Sequence, residues 1–274
     1  MISVITPCLN IIKDGREEYF HKMMKSVHEQ TYRDIEHIFI DGGSEDGTLE
    51  ILKKYQDKGW IDKLISKKDK GIYEALNKGI GLAKGEFVNV MNTDDYFTDK
   101  NFFSRSIVEI EKHNVDFTHA DKIIKSRNGK VDVIKRGDER VAFFRMPFRH
   151  QTMVVKKDVF KQLGLFDEKY KIASDYKYVL QMLLANKRGY YIPEVCVCSL
   201  DGGISSNREK CVEEVSQVLF ECFGRKYHLT VADCNRIYIR KIPLLLLLKI
   251  VLFVKNNKIR NSLVYDYVQS LNLL

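Results

Sequence analysis

Residues 68–95 constrain the fold more than any other part of the chain, because a turn, an apolar-faced helix, a short apolar strand and a pair of acids follow without a break. Lys68-Asp69-Lys70-Gly71 supplies the turn. Ile72, Ala75, Leu76, Gly79, Ile80 and Ala83 then recur at helical spacing and define one inward face, while Glu74, Asn77 and Lys78 point elsewhere. After Gly85, residues 87–91 are apolar enough for a central strand, which ends in Asn92-Thr93-Asp94-Asp95. A strand that delivers two carboxylates at its carboxyl end puts negative charge where open α/β sheets hold ligands. A divalent cation and a phosphorylated ligand are the chemistry expected there.

The chain upstream prepares that stretch. Residues 2–6 are β-branched and apolar and read as a first strand, ended by Pro7 because proline removes a backbone donor. Residues 17–30 read as a helix with Tyr19, Met23, Met24 and Val27 facing in, and residues 35–40 as a second strand, which completes a strand, helix, strand unit. The cluster Asp41-Gly42-Gly43-Ser44-Glu45-Asp46-Gly47-Thr48 follows; locally it is equally a helix cap and a ligand loop. It is not the dinucleotide fingerprint, whose glycines follow the first strand, so a dehydrogenase is disfavoured. A helix over 49–55 and a third strand over 61–66 lead into the central stretch.

Beyond Asp95 a helix is expected over 101–113 and a strand over 116–118, then a hairpin of 122–126 with 130–135 turning on Asn128-Gly129. This change from alternating elements to successive strands divides a nucleotide-type half from a half for a second substrate. His150-Gln151 opens an expected strand to Val155, and a helix over 158–163 follows. Ser174 is expected to cap a helix with a buried stripe of Tyr176, Val179, Leu180, Leu183 and Leu184. Asp175 then sits in its first turn, where an acid stabilises the helix dipole whatever else it does. Residues 190–200 read as two short strands broken at Pro193, and Gly202-Gly203-Ile204-Ser205 as a loop.

A chain of 274 residues, 45% hydrophobic and 30% charged, has the composition of an ordinary globular protein. The six cysteines form no CxxC pair or metal-ligand spacing, and the first residues open on a strand without a signal peptide, so a reducing cytosolic setting is expected. The net charge of +8 is concentrated: residues 225–260 hold nine Lys or Arg against Asp233 alone. Within that stretch, residues 242–254 are apolar but for Lys249, too few for a spanning helix. The run suits either a membrane interface with anionic lipid or a helix buried on the body or in a homodimer. Nucleic acid is disfavoured as partner, since exposed aromatics are not interleaved with the cations.

Taken in order, these motifs resemble glycosyltransferase family 2, inverting enzymes of the GT-A fold: an α/β fold with a mostly parallel nucleotide-binding sheet, a smaller acceptor-side half and, here, a helical extension. The resemblance spans about residues 1–206, divided near 120 into donor and acceptor halves, with 207–274 as the basic and apolar extension. It rests on Thr6-Pro7 with Asn10, Asp41-Gly42-Gly43-Ser44 with Asp46, Asp69 with Gly71 and Asn77, Asn92-Thr93-Asp94-Asp95, His150-Gln151, Ser174-Asp175 and 202–205. It implies that Thr6, Pro7, Asn10, Asp41 and Asp69 hold the nucleotide, with Ser44, Asn77, Asn92 and Thr93 in the same donor site. It implies that Asp94, supported by Asp95, binds manganese or magnesium at the diphosphate. Asp175 matches the position of the general base, and His150 is either a diphosphate or acceptor contact or a hydrogen-bonded histidine at a strand start.

The implied reaction moves a sugar from a nucleotide-diphosphate donor, foremost a UDP-sugar, to a glycan or lipid-linked acceptor in bacterial polysaccharide biosynthesis, at the cytoplasmic face of the cell membrane. Asn92 departs from the pattern, standing where an acid is common and lowering the charge offered to a metal. A glycan- or lipid-binding module that keeps the fold without turnover is therefore the alternative.

Overall fold

Strand β1 (Ile2–Cys8) is buried along all seven residues, as its nearly unbroken apolar sequence requires of a strand covered on both faces. It lies between two parallel neighbours, β2 (Ile35–Asp41) and β4 (Phe87–Val90), and β3 (Lys63–Ser66) extends the parallel sheet beyond β2. The computed structural model describes residues 1–126, 132–200 and 207–271. Two compact units divide the chain, the first formed by Met1–Gly137, Phe148–Lys171 and Asn186–Asp201, the second by Asp138–Pro147, Ile172–Ala185 and Gly202–Leu274.

In the first unit, helices α1 (Glu17–His28), α2 (Thr48–Asp57) and α3 (Ile72–Leu82) alternate with the parallel strands. Helix α3 lies close on β1 and β2 because Gly79 faces Ile5; any Cβ there would collide with the Ile5 side chain. The inward face of α1 is Phe20, Met23, Met24 and Val27; Tyr19, expected inside, is half-buried and Phe20 takes its place. After β4 come β5 (Tyr96–Phe97), α4 (Phe102–His113), β6 (Phe117–Lys125), β7 (Val133–Lys135), β8 (Val154–Lys156), α5 (Lys157–Leu163) and β9 (Gly189–Leu200). The sheet order is β3-β2-β1-β4-β8-β6-β9-β5, with β7 on β6.

Several expected boundaries move, each for a local reason. Pro7 does not end β1 but pairs with Ile40. Its missing N–H faces the β4 side, where pairing with β1 has already stopped at Ile5, so no ladder bond is lost. The two strands expected over 116–118 and 122–126 are one strand, β6. The two expected around Pro193 are likewise one strand, β9, because a bulge opposite Ala120 and Asp121 absorbs Pro193 and Glu194. His150 does not open a strand: His150–Thr152 is a 3-10 turn ahead of β8. Strands β6 and β7 do pair antiparallel, while the turn at Asn128-Gly129 lies outside the described residues, as does 202–205.

The second unit contains α6 (Ser174–Leu184), α7 (Arg208–Leu219), α8 (Val231–Tyr238), α9 (Leu244–Phe253) and α10 (Asn257–Leu271). Helix α7 runs on through a π turn at Phe220–Gly224. This unit does not follow the division expected at residue 206. Segment 138–147 belongs with the helices because Tyr176 Oη donates to Ala142 O at 2.7 Å and Phe143 packs edge-on against Phe223. Buried residues of α6 include Tyr178 and Met182 as well as the expected Tyr176, Val179, Leu180 and Leu183, and Leu184 is half-buried instead.

Candidate active site

Chain direction places the site. Strand β1 is followed by β2 on one side and flanked by β4 on the other, so the strand order reverses between β1 and β4, and the crevice beyond their carboxyl ends is the expected ligand position. Four loops converge at this end of the parallel strands: 9–16 after β1, 42–47 after β2, 67–71 after β3 and 91–95 after β4.

The loop after β2 is organised by Asp41. Its fully buried carboxylate accepts from Ser44 N at 3.1 Å, Ser44 Oγ at 2.5 Å and Ser66 Oγ at 2.6 Å, with the Cys8 thiol 3.8 Å away. Burial, and then Asp41, raise the Cys8 thiol well above its ordinary range, so it stays protonated. Ser44 Oγ also accepts from Asn10 N at 2.8 Å, and Asn10 Oδ1 accepts from Glu45 N at 3.2 Å, which binds the loops after β1 and β2 together. Asp69 completes this side. Its Oδ1 accepts from Gly71 N at 3.0 Å, and its carboxylate lies so close to Gly42 that a Cβ there would be 3.0 Å from Oδ2. Burial raises the Asp69 carboxyl, partly opposed by the Gly71 amide.

On the β4 side the adjacent acids have different surroundings. Asp95 is buried, with Lys122 Nζ 3.3 Å from Oδ1 and Asn92 Nδ2 donating to Oδ2 at 3.0 Å. Asp94 is half-buried, and burial followed by the nearby Asp95 raises its carboxyl above the ordinary aspartate value, while Arg16 and Lys122 pull it down. Arg16 spans the crevice: Nη1 donates to Thr93 Oγ1 at 3.1 Å, and Nη2 to Leu9 O at 2.7 Å and Asp14 Oδ2 at 2.8 Å. Neither Arg16 nor Lys122 was expected from the sequence. Lys122 had a signal, an ammonium in a strand bordered by Ala120, Ile123 and Ile124; Arg16 had none beyond its place before α1.

The structure thus brings Pro7, Asn10, Asp41, Ser44, Asp69, Asn92, Thr93, Asp94 and Asp95 to one end of the sheet, but gives several expected donor contacts internal work. Thr6 is buried with its hydroxyl 2.9 Å from His37 Nε2; burial depresses that imidazole to about 3, so it is neutral. Asn77 uses its amide on Phe166 and Glu168, staple-fashion, through three bonds of 2.9 Å. Asp95 pairs with Lys122 and accepts from Asn92. His150 is half-buried in the turn before β8.

Among the described residues no group of three or more His, Cys, Asp or Glu could cage a metal. Asp94 carboxylate and the buried Asn92 Oδ1, which has no protein partner, are nonetheless hard oxygen donors. They fit a magnesium or manganese ion that takes its other ligands from phosphate and water.

Asp175 belongs to the second unit. It occupies the first turn of α6, and its Oδ1 accepts from Tyr176 N at 2.8 Å. Ser174 is not the cap; that position falls to Ala173. The start of the helix is held instead by Glu214 of α7, whose Oε2 accepts from Ile172 N at 2.8 Å and Ala173 N at 2.9 Å.

Comparison with known proteins decides what this arrangement serves. The description Glycosyl transferase family 2 matches residues 3–164, which include all four converging loops. The chain belongs to that family. A PGL/p-HBAD biosynthesis glycosyltransferase of Mycobacterium bovis is 26% identical over 184 residues, covering 65% of this chain and 68% of its own. An uncharacterized glycosyltransferase of Haemophilus influenzae is 24% identical over 99% of this chain and 87% of its own.

Among solved structures, S. aureus TarS 1-349 in complex with UDP-GlcNAc superposes with a TM-score of 0.63 at 18% identity, covering 99% of this chain and 91% of that one. Longer TarS matches equally well, this chain spanning about half of it, 53%. The mannosyltransferase PcManGT from Pyrobaculum calidifontis, in complex with GDP-Man and Mn2+, has a TM-score of 0.61 at 17% identity over 98% and 86%. The fold of this family 2 glycosyltransferase is accordingly GT-A.

Proposed function

We propose that this family 2 enzyme transfers a sugar with inversion from a nucleotide-diphosphate donor to a hydroxyl of a glycan or lipid-linked acceptor, as a peripheral protein at the cytoplasmic face of the cell membrane. The observation that carries the donor side is the unequal treatment of the two acids: Lys122 and Asn92 occupy Asp95, and Asp94 is left as the carboxylate at the β1/β4 crevice. The loop around Asp41, Asn10 and Asp69 holds the nucleoside, and a UDP-sugar is the first donor to test.

Asp94, with Asn92 beside it, would hold the divalent cation, manganese or magnesium, which when bound neutralises charge on the departing diphosphate. Asp175 accepts the proton of the acceptor hydroxyl while that oxygen bonds to the anomeric carbon. The bond from that carbon to the diphosphate oxygen breaks on the opposite face, its electron pair leaving with the nucleotide diphosphate, and configuration inverts. Arg16, joined to Thr93 and Leu9, fixes the two sides of the crevice at a set separation.

The purified protein should be assayed against a panel of nucleotide sugars by release of nucleotide diphosphate, with proton NMR of the product's anomeric signal. Metal-dependent release with an inverted product is expected. Absence of release and of binding across the panel would leave a fold without turnover.

A further inference from the structure

Helix α9 carries an apolar face exposed to solvent. Leu244, Leu245, Leu248, Val251, Leu252 and Phe253 are exposed, Leu245 by 80% and Leu252 by 70%, while Leu246 and Ile250 are buried on the opposite side. At 100° per residue, all of these exposed side chains except Phe253 at the end fall within an arc of about 120°. The helix is fixed from behind: Lys249 Nζ bonds Asp233 Oδ2 at 3.0 Å, the acid that also closes the capping box of α8 with Thr230. Its own cation is thereby turned from the apolar arc, and the exposed cations Lys241, Lys255 and Lys258 bracket the two ends.

Ten residues of helix measure about 15 Å, half the hydrocarbon thickness of a bilayer. No helix among the described residues is long and apolar enough to cross a membrane. A short leucine-rich face between cations, held firmly on a folded body, has the chemistry of the headgroup boundary, where acyl chains take the apolar side chains and anionic headgroups the ammonium groups.

We infer that α9 is the membrane-contact element, lying parallel to an anionic bilayer with Leu244, Leu245, Leu248, Val251 and Leu252 inserted and Lys241, Lys255 and Lys258 on the headgroups. This deepens the proposed peripheral location and rests on it for a lipid-linked acceptor, but it is tested without donor or acceptor. A second copy of the chain is the competing occupant; the bracketing cations argue against it, since two copies would bring like charges together.

The full chain should be floated with phosphatidylcholine vesicles, with and without about one-third phosphatidylglycerol. It is expected to float with the anionic vesicles only, and less as salt is raised. Paired Leu245→Glu and Leu252→Glu should abolish flotation with the melting temperature unchanged, because both side chains are solvent-facing. Paired Lys241→Ala and Lys255→Ala should weaken binding about thirtyfold. A native chain that never floats with anionic vesicles overturns the inference, as does a paired glutamate variant that floats like the native. A native dimer in sedimentation that the glutamates convert to monomer would reassign the face to self-association. Nucleotide-sugar binding without vesicles is read separately, so loss of one leaves the other standing.

Discussion

Lys122 Nζ stands 3.3 Å from Asp95 Oδ1, and both side chains are all but excluded from solvent. One strand of the sheet thereby neutralises the second acid of a loop that follows another, and the two acids cease to be equivalent. A buried ion pair adds little stability over an apolar pair, yet removing one partner leaves a charge with nothing to offset it.

Lys122→Met is therefore expected to destabilise the fold by about 3–5 kcal/mol, whereas Lys122→Met combined with Asp95→Asn recovers most of that loss. Urea unfolding of the three proteins checks the coupling. Additive effects in the double variant would show that the pair is not the source.

For Asp94 the raised carboxyl fixes the sign of a pH effect. Between the ordinary aspartate value and the raised one, the folded chain binds a proton that the unfolded chain has released, so stability falls as pH rises through that window. In chelator, Asp94→Asn should melt above the native protein at neutral pH, and the difference should shrink as pH falls through the window from the raised value to the ordinary one, below which it is gone. The same variant should lose metal-dependent donor binding, measured by calorimetry with manganese and nucleotide. A variant that binds donor with native metal dependence would move the ligand elsewhere.

Asp175→Asn should keep donor affinity while turnover falls by about two to four orders of magnitude, the usual effect of losing a general base. Single-turnover assays at saturating donor make the separation. Near-native turnover would transfer attention to His150.

Glu214 does not need to touch substrate to matter, since it accepts from both amides that open the helix of Asp175. Glu214→Ala removes a charged acceptor from the two amides just before the helix, and should cost about 1.5–3 kcal/mol and lower kcat with donor KM unchanged. Glu214→Gln retains an acceptor oxygen and should restore much of both. A glutamine variant as impaired as alanine would show that the charge, not the cap, is the requirement.

The parallel half was legible because each of its elements has its own period and punctuation: helix α3 begins after Gly71 as expected, and the acids emerge where β4 ends. The second half was less so. Pro193 looks like a strand break in isolation, but a bulge is a property of two strands, and only the pairing of β9 with β6 shows the proline absorbed. The same limit applies at the site. Asp41, Asp94 and Asp95 are visible in sequence as acids at strand ends, but their differing roles depend on Ser66, Arg16 and Lys122, which arrive from other loops and strands. Asn77 was read from its motif as a donor contact, whereas its partners Phe166 and Glu168 lie about ninety residues on, beyond local pattern.

The bond from Arg16 to Thr93 joins positions 77 residues apart, and the chain between them includes three helices and three strands of the sheet. Closing so long a segment costs entropy before any contact compensates it, and parallel pairing is slow for that reason. During synthesis, the guanidinium of Arg16 can reach its place only after β4 has emerged and inserted beside β1. Until then β1 lacks its β4 neighbour, and an unpaired strand edge of that kind is what makes partly folded chains prone to aggregate.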